Sequence, residues 1–263
     1  MTSSDDLGDL APRLAAPLRA RQPLVARVLL ITDGVSLPAE PTSSRPAESS
    51  APDPQRVVQC LTAVLSAVPP GSIAVQLRSP RLSSAALYER ALWLRDLTAR
   101  HGAPLLINDR VDVALAVGAD GVHLPGHGLP AHSVRRWLGS GLQICAAAHS
   151  VAEARLLAQA GADAVTLSPI WPTPSKPALP VAQGGVQPLG QSILAQAVRQ
   201  LAVPVFALGG IDSIERASAC ASLGARIACL RALVSADPES ASARAVSFVA
   251  AMTSAASTGS AGC

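Results

Sequence analysis

Hydroxyl groups, prolines and a lysine follow one apolar run of this sequence, in the stretch VTLSPIWPTPSKP at residues 165–177. Thr173 and Ser175 could donate hydrogen bonds to anionic oxygens, and Lys176 could neutralise their charge. The prolines restrict the free loop, so less entropy is lost when it orders over a ligand. The stretch therefore predicts a loop that holds a small anionic ligand.

A glycine pair follows a second apolar run, in ALGGID at residues 207–212. Without side chains, the backbone N–H groups of Gly209 and Gly210 can approach a phosphate, and the dipole of a following helix favours its charge. Arg231 follows the next apolar run and could pair with the same phosphate through two N–H groups. The alternatives are an ordinary tight turn and a surface arginine.

Three other residues have two readings each. Asp109 follows Asn108 at the end of an apolar run, where its carboxylate could bind a hard cation or cap a helix. His149 could be a general base or simply the residue at a helix start. His123 lies within an apolar run, which favours a packing role in the protein interior. Asp109 is the only metal ligand that these residues suggest.

Gln76 and Arg78 alternate with Leu77 in the run IAVQLR. In a strand, residues two apart point to the same side, so both polar side chains would face one ligand. We therefore expect Gln76 and Arg78 to contact the substrate.

The elements that must position these residues alternate strictly between strand-like and helix-like patterns. Short β-rich runs occur at residues 28–32, 73–77, 104–108, 121–124, 142–146, 164–168, 204–208 and 227–230. Amphipathic stretches occur near residues 54–67, 83–101, 109–117, 130–138, 150–160, 188–201, 213–222 and 239–252. Eight such pairs predict an α/β fold, a single-domain (β/α)8 TIM barrel.

Three Gly-Ala turns, in AVGADGVHL, QAGADAVTL and SLGARIACL, support parallel α/β architecture. Gly118, Gly161 and Gly224 each fit the left-handed residue that ends a helix before a buried strand. An open doubly wound sheet is the alternative, although no GxGxxG follows the first run. In a barrel, the candidate residues would gather at the carboxyl ends of the strands, where such folds hold their sites.

Three segments lack this patterning. We expect a flexible lead at residues 1–22, a disordered Pro/Ser/Glu-rich insert at 38–54 within a barrel of residues 23–252, and a flexible tail at 253–263. The acidic, polar start is unlike a secretory signal, and the apolar runs are too short to span a membrane. A cytoplasmic protein is therefore expected.

Composition excludes several classes of function. A net charge of +3 and 2% aromatic residues are too little for nucleic-acid binding. The five cysteines lack CxxC spacing, so neither a zinc site nor a disulfide framework is indicated. We therefore expect small molecules as partners. The sequence does not decide whether the protein forms a homo-oligomer.

The blocks VQLR, LLINDRVDVALAVGADGVHLP, HSVAEARLLAQAGADAVTLSPIWPTPSKP and PVFALGGI resemble the thiamine-phosphate synthase/TenI family, in order from about residue 28 to 235. The resemblance implies a (β/α)8 barrel that binds thiazole phosphate. The synthase joins hydroxymethylpyrimidine diphosphate to thiazole phosphate with Mg²⁺ and releases diphosphate. The TenI branch includes a tautomerase, which moves a proton on thiazole carboxylate phosphate.

The resemblance also implies roles for single residues. Asn108 matches the pyrimidine contact, Asp109 the first Mg²⁺ ligand and Gly210 the thiazole-phosphate glycine. Gln76 and Arg78 match the family motif of the second strand. By the same resemblance, the loop bearing Thr173, Ser175 and Lys176 closes over the phosphate groups, and Lys176 joins His149 as a candidate catalytic residue.

Four positions depart from the synthase pattern. Pro80 stands in place of a lysine, with Arg81 adjacent, and Gly128 in place of the second Mg²⁺-binding aspartate. Ala147 and Arg231 each replace a serine. Three of these losses fall on the metal and diphosphate side, so a Mg²⁺ cofactor would be held more weakly.

Three functions therefore remain open. The first is a TenI-like tautomerase with His149 as its base, because proton transfer needs no metal. The second is a divergent synthase, supported by Gln76, Arg78, Asn108, Asp109 and Lys176. The third is a non-catalytic or regulatory barrel that binds a phosphate ligand.

Overall fold

Eight parallel strands close into a barrel in the computed structural model, which describes residues 23–33, 54–173, 187–229, 232–233 and 237–258. Each strand pairs with the next along the chain, and the last pairs with the first. The predicted (β/α)8 barrel is confirmed, and closure excludes the open doubly wound sheet.

The strands and helices alternate along the chain as predicted. The strands are β1 (Val28–Asp33), β2 (Ile73–Arg78), β3 (Leu105–Asn108), β4 (Gly121–Leu124), β5 (Gln143–Ala148), β6 (Ala164–Leu167), β7 (Val205–Leu208) and β8 (Arg226–Cys229). The helices within the described ranges are α1 (Pro54–Ser66), α2 (Ser84–Arg100), α3 (Val111–Ala116), α4 (Ala131–Leu138), α5 (Val151–Gln159), α6 (Gly190–Gln200), α7 (Ile214–Ser222) and α8 (Pro238–Thr258).

The apolar core has two layers, because successive side chains of a strand face opposite sides. Leu29, Leu106 and Phe206 belong to a cluster that fills the barrel interior. Val28 and Leu30 belong to a larger cluster between the strands and the helices. Strands covered on both faces explain why the sequence shows continuous apolar runs rather than alternation.

The Gly-Ala turns have the predicted backbone geometry, with φ of 63° at Gly118, 94° at Gly161 and 79° at Gly224. Two of them carry an aspartate that the sequence did not single out. Asp120 accepts hydrogen bonds from the Leu105 N–H and from Arg95, each at 2.7 Å. These contacts tie the turn before β4 to α2 and to β3.

Asp163 repeats this arrangement in the second turn, with the Ile144 N–H at 2.8 Å and the Arg135 guanidinium as donors. In the third turn an arginine, Arg226, occupies the equivalent position. Its guanidinium donates to the carbonyls of Leu24 and Ala26 instead. The three turns therefore fasten the amino-terminal end of the barrel in two chemically different ways.

The predicted flexible tail is wrong in its first part, because α8 continues to Thr258. The Thr253 hydroxyl donates to the Val249 carbonyl at 3.1 Å and the Ser254 hydroxyl to the Ala250 carbonyl at 3.0 Å, as helical residues do. Pro54, the last residue of the predicted insert, begins α1. The lead at 1–22 and the remainder of the insert lie outside the described residues.

None of the described helices is long and apolar enough to cross a membrane. The four described cysteines are buried thiols, and burial raises the pKa of Cys145, Cys220 and Cys229 to about 12. They are therefore protonated at neutral pH and are poor nucleophiles.

Candidate active site

A chain of hydrogen bonds crosses the barrel interior below its carboxyl-terminal mouth. The Gln76 Nε2 of β2 donates to the Asn108 Oδ1 of β3 at 3.1 Å. The His123 Nδ1 of β4 lies 3.2 Å from the same oxygen, and its Nε2 lies 3.0 Å from the Thr166 hydroxyl of β6. Four strands thus fix the orientation of the two amide side chains.

The imidazole of His123 is neutral in this chain. Burial, reinforced by the nearby positive charge of Arg78, lowers its pKa to about 4. Because the Asn108 Oδ1 can only accept, Nδ1 carries the proton, and Nε2 accepts from the Thr166 hydroxyl. His123 does lie in the interior as predicted, but it makes polar contacts there as well as packing.

Gln76 and Arg78 face the same side of β2, as the sequence predicted. Gln76 is fully buried, and its Oε1 has no hydrogen-bond partner among the described residues. Arg78 lies two residues further along β2, nearer the mouth, and is exposed. A buried acceptor without a partner costs about 1–3 kcal/mol, which a ligand donor would offset.

Asp109 follows β3 with an unusual backbone conformation. Its φ is +65°, and its N–H donates to the His123 carbonyl at 2.8 Å. It does not cap α3, because that helix has Arg110 at its N-cap and no side-chain cap bond. The helix-cap reading of Asp109 is therefore wrong, and its carboxylate is left for another role.

The Asp109 carboxylate lies against Gly128, in the turn that follows β4. A Cβ at Gly128 would fall 2.5 Å from Asp109 Oδ1, so the two positions are direct neighbours. The described residues contain no group of three or more His, Cys, Asp or Glu side chains that could hold a metal.

The glycine pair after β7 packs directly against the loop after β6. Gly209 has a φ of +100°, and a Cβ there would fall 2.9 Å from the Pro169 Cα. Gly210 has a φ of +69°, and a Cβ there would fall 2.6 Å from the Pro172 carbonyl oxygen. Both left-handed conformations and close approaches require glycine. The two segments that the sequence assigned to one ligand therefore share one side of the mouth.

Each of the three carbonyl groups in this turn accepts a hydrogen bond. The Leu208 carbonyl accepts from the Ile170 N–H at 2.9 Å and the Gly209 carbonyl from the Trp171 N–H at 3.1 Å. The Gly210 carbonyl accepts from the Arg216 Nη1 at 2.5 Å. Three successive peptide oxygens are thus fixed in direction.

In a trans peptide, the N–H points away from the C=O of the same peptide unit. The N–H groups of Gly209, Gly210 and Ile211 therefore point away from the atoms that hold the three carbonyls. Within the described ranges, none of these N–H groups has a hydrogen-bond acceptor. Such a set of free N–H groups can receive an anion.

His149 follows β5 and lies beside the start of the loop after β6. Its Nδ1 is 2.7 Å from the Ser168 carbonyl, which can only accept, so Nδ1 carries the proton. In this tautomer Nε2 is the nitrogen without a proton, and the residue is exposed. This tautomer is the one that a general base at the mouth requires.

The structure brings most of the predicted site residues to one end of the barrel. Thr173 is the last residue described before the gap at 174–186, in the loop after β6. Ser175, Lys176 and Arg231 lie outside the described residues. The sequence reading missed Thr166, Trp171 and Arg216, although Thr166 could have been found because it alternates with apolar residues in β6.

Fold and site together define a class, the (β/α)8 barrels whose polar groups gather at the carboxyl ends of the strands, where such barrels hold active sites. A sequence profile described as thiamine monophosphate synthase matches residues 49–233. The chain therefore belongs to the thiamine monophosphate synthase family, and the resemblance to a family of enzymes is confirmed.

Relatives of known name support this family. A Geobacter sulfurreducens protein, provisionally named a thiamine-phosphate synthase, is 44% identical over 179 residues, which cover 68% of this chain and 81% of the relative. A thiamine-phosphate synthase of Chloroflexus aurantiacus is 38% identical over 181 residues, covering 68% and 80%. The solved thiamine phosphate pyrophosphorylase of Pyrococcus furiosus superposes with a TM-score of 0.68 at 26% identity, over 88% of this chain and 98% of its own.

Proposed function

We propose that this protein is a thiamine-phosphate synthase that joins a pyrimidine diphosphate to thiazole phosphate and releases diphosphate. One observation carries the proposal: a fixed pair of amide side chains and a turn with three free N–H groups occur at the same end of one barrel. The first can read a heterocycle and the second can hold a phosphate. Family membership agrees with this assignment.

The pyrimidine would lie against Asn108 and Gln76. An aminopyrimidine carries both N–H donors and ring-nitrogen acceptors, which complement amide groups. The Oε1 of Gln76 lacks a partner among the described residues and could accept from an exocyclic amine. Because His123 and Thr166 hold Asn108 in place, little ordering entropy would be lost on binding.

The thiazole phosphate would place its phosphate on the Gly209, Gly210 and Ile211 N–H groups. Loops after strands 7 and 8 supply the phosphate site in many (β/α)8 barrels. Arg231, which follows β8 in sequence and stands where the family pattern has a serine, would add positive charge. Lys176 would add a second positive charge, as the family resemblance implies. The reaction requires that the bound thiazole then turn its ring nitrogen toward the pyrimidine.

In the reaction, the bond between the pyrimidine methylene and the diphosphate oxygen breaks, and the electron pair leaves with diphosphate. The thiazole nitrogen then donates its lone pair to the resulting carbocation, which forms the new C–N bond. Arg78 at the end of β2 and Lys176 would stabilise the negative charge that develops on diphosphate.

Mg²⁺ fits this site as a companion of the diphosphate. Magnesium is commonly bound through one or two carboxylates, substrate phosphates and water, and Asp109 supplies one carboxylate beside Gly128. When bound, the ion would neutralise charge on the leaving diphosphate. With one carboxylate, we expect the protein to bind Mg²⁺ weakly without substrate.

A TenI-like tautomerase is the second candidate, and the geometry of His149 favours it. The Ser168 carbonyl holds the tautomer that leaves Nε2 free to remove a proton. The lack of a carboxylate at position 128 is no obstacle to proton transfer, which needs no metal.

The test follows diphosphate release by the purified protein with pyrimidine diphosphate, thiazole phosphate and Mg²⁺. We expect release that is lost in Asp109→Ala and retained in Asp112→Ala, because Asp112 is exposed and paired with Arg110. No release, together with isomerisation of thiazole carboxylate phosphate that is lost in His149→Ala, would replace the synthase with the tautomerase. If neither reaction occurs but thiazole phosphate still raises the melting temperature, the protein is a binding barrel.

A further inference from the structure

Arg216 in the first turn of α7 connects three parts of the phosphate side. Its Nη1 donates to the Gly210 carbonyl at 2.5 Å and to the Asp212 carboxylate at 3.0 Å. Its guanidinium carbon lies 5.6 Å from the ring centroid of Trp171, in the β6 loop. Among the described residues, no other side chain both donates a hydrogen bond to the glycine turn and lies over an aromatic ring of that loop.

Helix stability does not explain this arginine. The first turn of a helix favours acidic residues, because the helix dipole is positive there. The N-terminus of α7 is already capped by Ser213, whose hydroxyl accepts from the Arg216 N–H at 3.4 Å. A positive side chain in this position is electrostatically unfavourable for the helix, so its contacts to the turn and the loop are the better reason for it.

The contact to Gly210 fixes the direction of one peptide unit. Because the Gly210 carbonyl points to Arg216, the N–H of Ile211 in the same peptide must point the opposite way. Glycine with positive φ leaves this peptide free to rotate unless another group holds it. The other two carbonyls of the turn are held by backbone N–H groups, whereas this one depends on a side chain.

We propose that Arg216 is a positioning residue for phosphate binding, which directs the Ile211 N–H at the ligand and couples the β6 loop to the turn through Trp171. This inference rests on the proposed phosphate site. Arg216 does not touch the substrate in this account. Its loss would therefore weaken binding of thiazole phosphate while sparing the pyrimidine side and the chemical step.

The experiment measures the Kd of thiazole phosphate by calorimetry for the full chain and three variants. Arg216→Met keeps the length of the side chain without its donors, and we expect binding about tenfold weaker. Arg216→Lys keeps the charge, but an ammonium group lacks the planar guanidinium that contacts both the Gly210 carbonyl and the Trp171 ring. We therefore expect a smaller loss of affinity than in Arg216→Met. Asp212→Asn is the matched control, because it removes the ion pair and leaves the contacts to Gly210 and Trp171, and binding should stay within twofold.

A second measurement separates positioning from a merely structural role. It compares Arg216→Met, Trp171→Leu and the double variant that carries both changes. Because the two residues act together, the double variant should lose less affinity for thiazole phosphate than the product of the two single losses. If diphosphate release occurs, the KM for thiazole phosphate should rise in Arg216→Met, with kcat and the KM for pyrimidine diphosphate unchanged.

Unchanged binding in a folded Arg216→Met, equal weakening by Asp212→Asn, or strictly additive losses would each overturn the inference. Should Arg216→Met fail to fold by circular dichroism, Arg216→Lys and the Trp171→Leu variant carry the same comparison. Because Kd is measured without catalysis, a failed synthase assay with a raised Kd would refute the proposed reaction and retain Arg216 in its role.

Discussion

His123 shows how a single buried residue joins stability to the site. Its folded-state pKa of about 4 lies well below the ordinary pKa of histidine. Between these two values the unfolded chain binds a proton that the folded chain refuses, so acidification favours unfolding. We expect the free energy of unfolding to fall by roughly 3 kcal/mol between pH 7 and pH 4 from this residue, on top of any other titration.

Urea unfolding of the wild type and His123→Gln across this pH range measures that contribution. The variant should start less stable and lose less stability on acidification, because the titrating group is gone. His149→Gln is the matched control for replacing a histidine at an exposed position. Identical slopes for wild type and His123→Gln would contradict the assigned neutral, hydrogen-bonded imidazole.

A glycine can be required by close packing as well as by its backbone conformation, as at Gly210, or by its backbone conformation alone, as at Gly118. Both have positive φ, at +69° and +63°. A Cβ at Gly210 would meet backbone and side-chain atoms of the β6 loop at 2.6–2.7 Å, whereas a Cβ at Gly118 would meet nothing within 4 Å. We expect Gly118→Ala to cost about 1 kcal/mol of stability and Gly210→Ala about 2–3 kcal/mol, measured by urea unfolding. Equal costs would show that the β6 loop does not press on the glycine turn.

At the scale of elements, the repeated αβ turns differ in how deeply they are buried. The Asp163 side chain is 16% exposed and that of Asp120 is 45% exposed, and each accepts from a strand N–H and an arginine. Removing the more buried carboxylate leaves its donors further from water. We therefore expect Asp163→Ala to cost about 3 kcal/mol and Asp120→Ala about 1 kcal/mol. A reversed order in denaturant unfolding would contradict this reading of the turns.

The elements were largely predictable from sequence, and their polar cross-connections were not. Apolar runs located all eight strands within a few residues, because strands covered on both faces leave a continuous signal. Gly118, Gly161 and Gly224 were predictable because only the left-handed turn explains them. The contact of His123 with Thr166 was not predictable, since it joins β4 to β6 across an interior that exists only after closure.

Arg216 was missed for a related reason. In sequence it is one arginine in an amphipathic helix, and only the folded turn brings the Gly210 carbonyl and the Trp171 ring to it. The last part of α8 was missed because TSAAST has the composition of a linker, while the Thr253 and Ser254 hydroxyls donate to carbonyls of the preceding helical turn. Local composition predicts neither kind of contact.

For the whole molecule, barrel closure gathers the ligand-binding groups from loops far apart in sequence, so a ligand should stabilise the entire fold. A ligand present at one hundred times its Kd adds about 2.7 kcal/mol to the free energy of unfolding. We expect thiazole phosphate to raise the melting temperature of the full chain accordingly, and inorganic phosphate to raise it less at equal concentration. An equal shift from both would indicate an anion site that does not recognise the thiazole ring.

The most direct test of the shared mouth is a titration of the ¹⁵N-labelled full chain with thiazole phosphate, followed by amide chemical shifts. We expect large, saturable shifts at Gly209, Gly210 and Ile211, with the Gly118 amide at the other end of the barrel as the unperturbed reference. Saturable binding that leaves the three amides in place and moves signals elsewhere would contradict it.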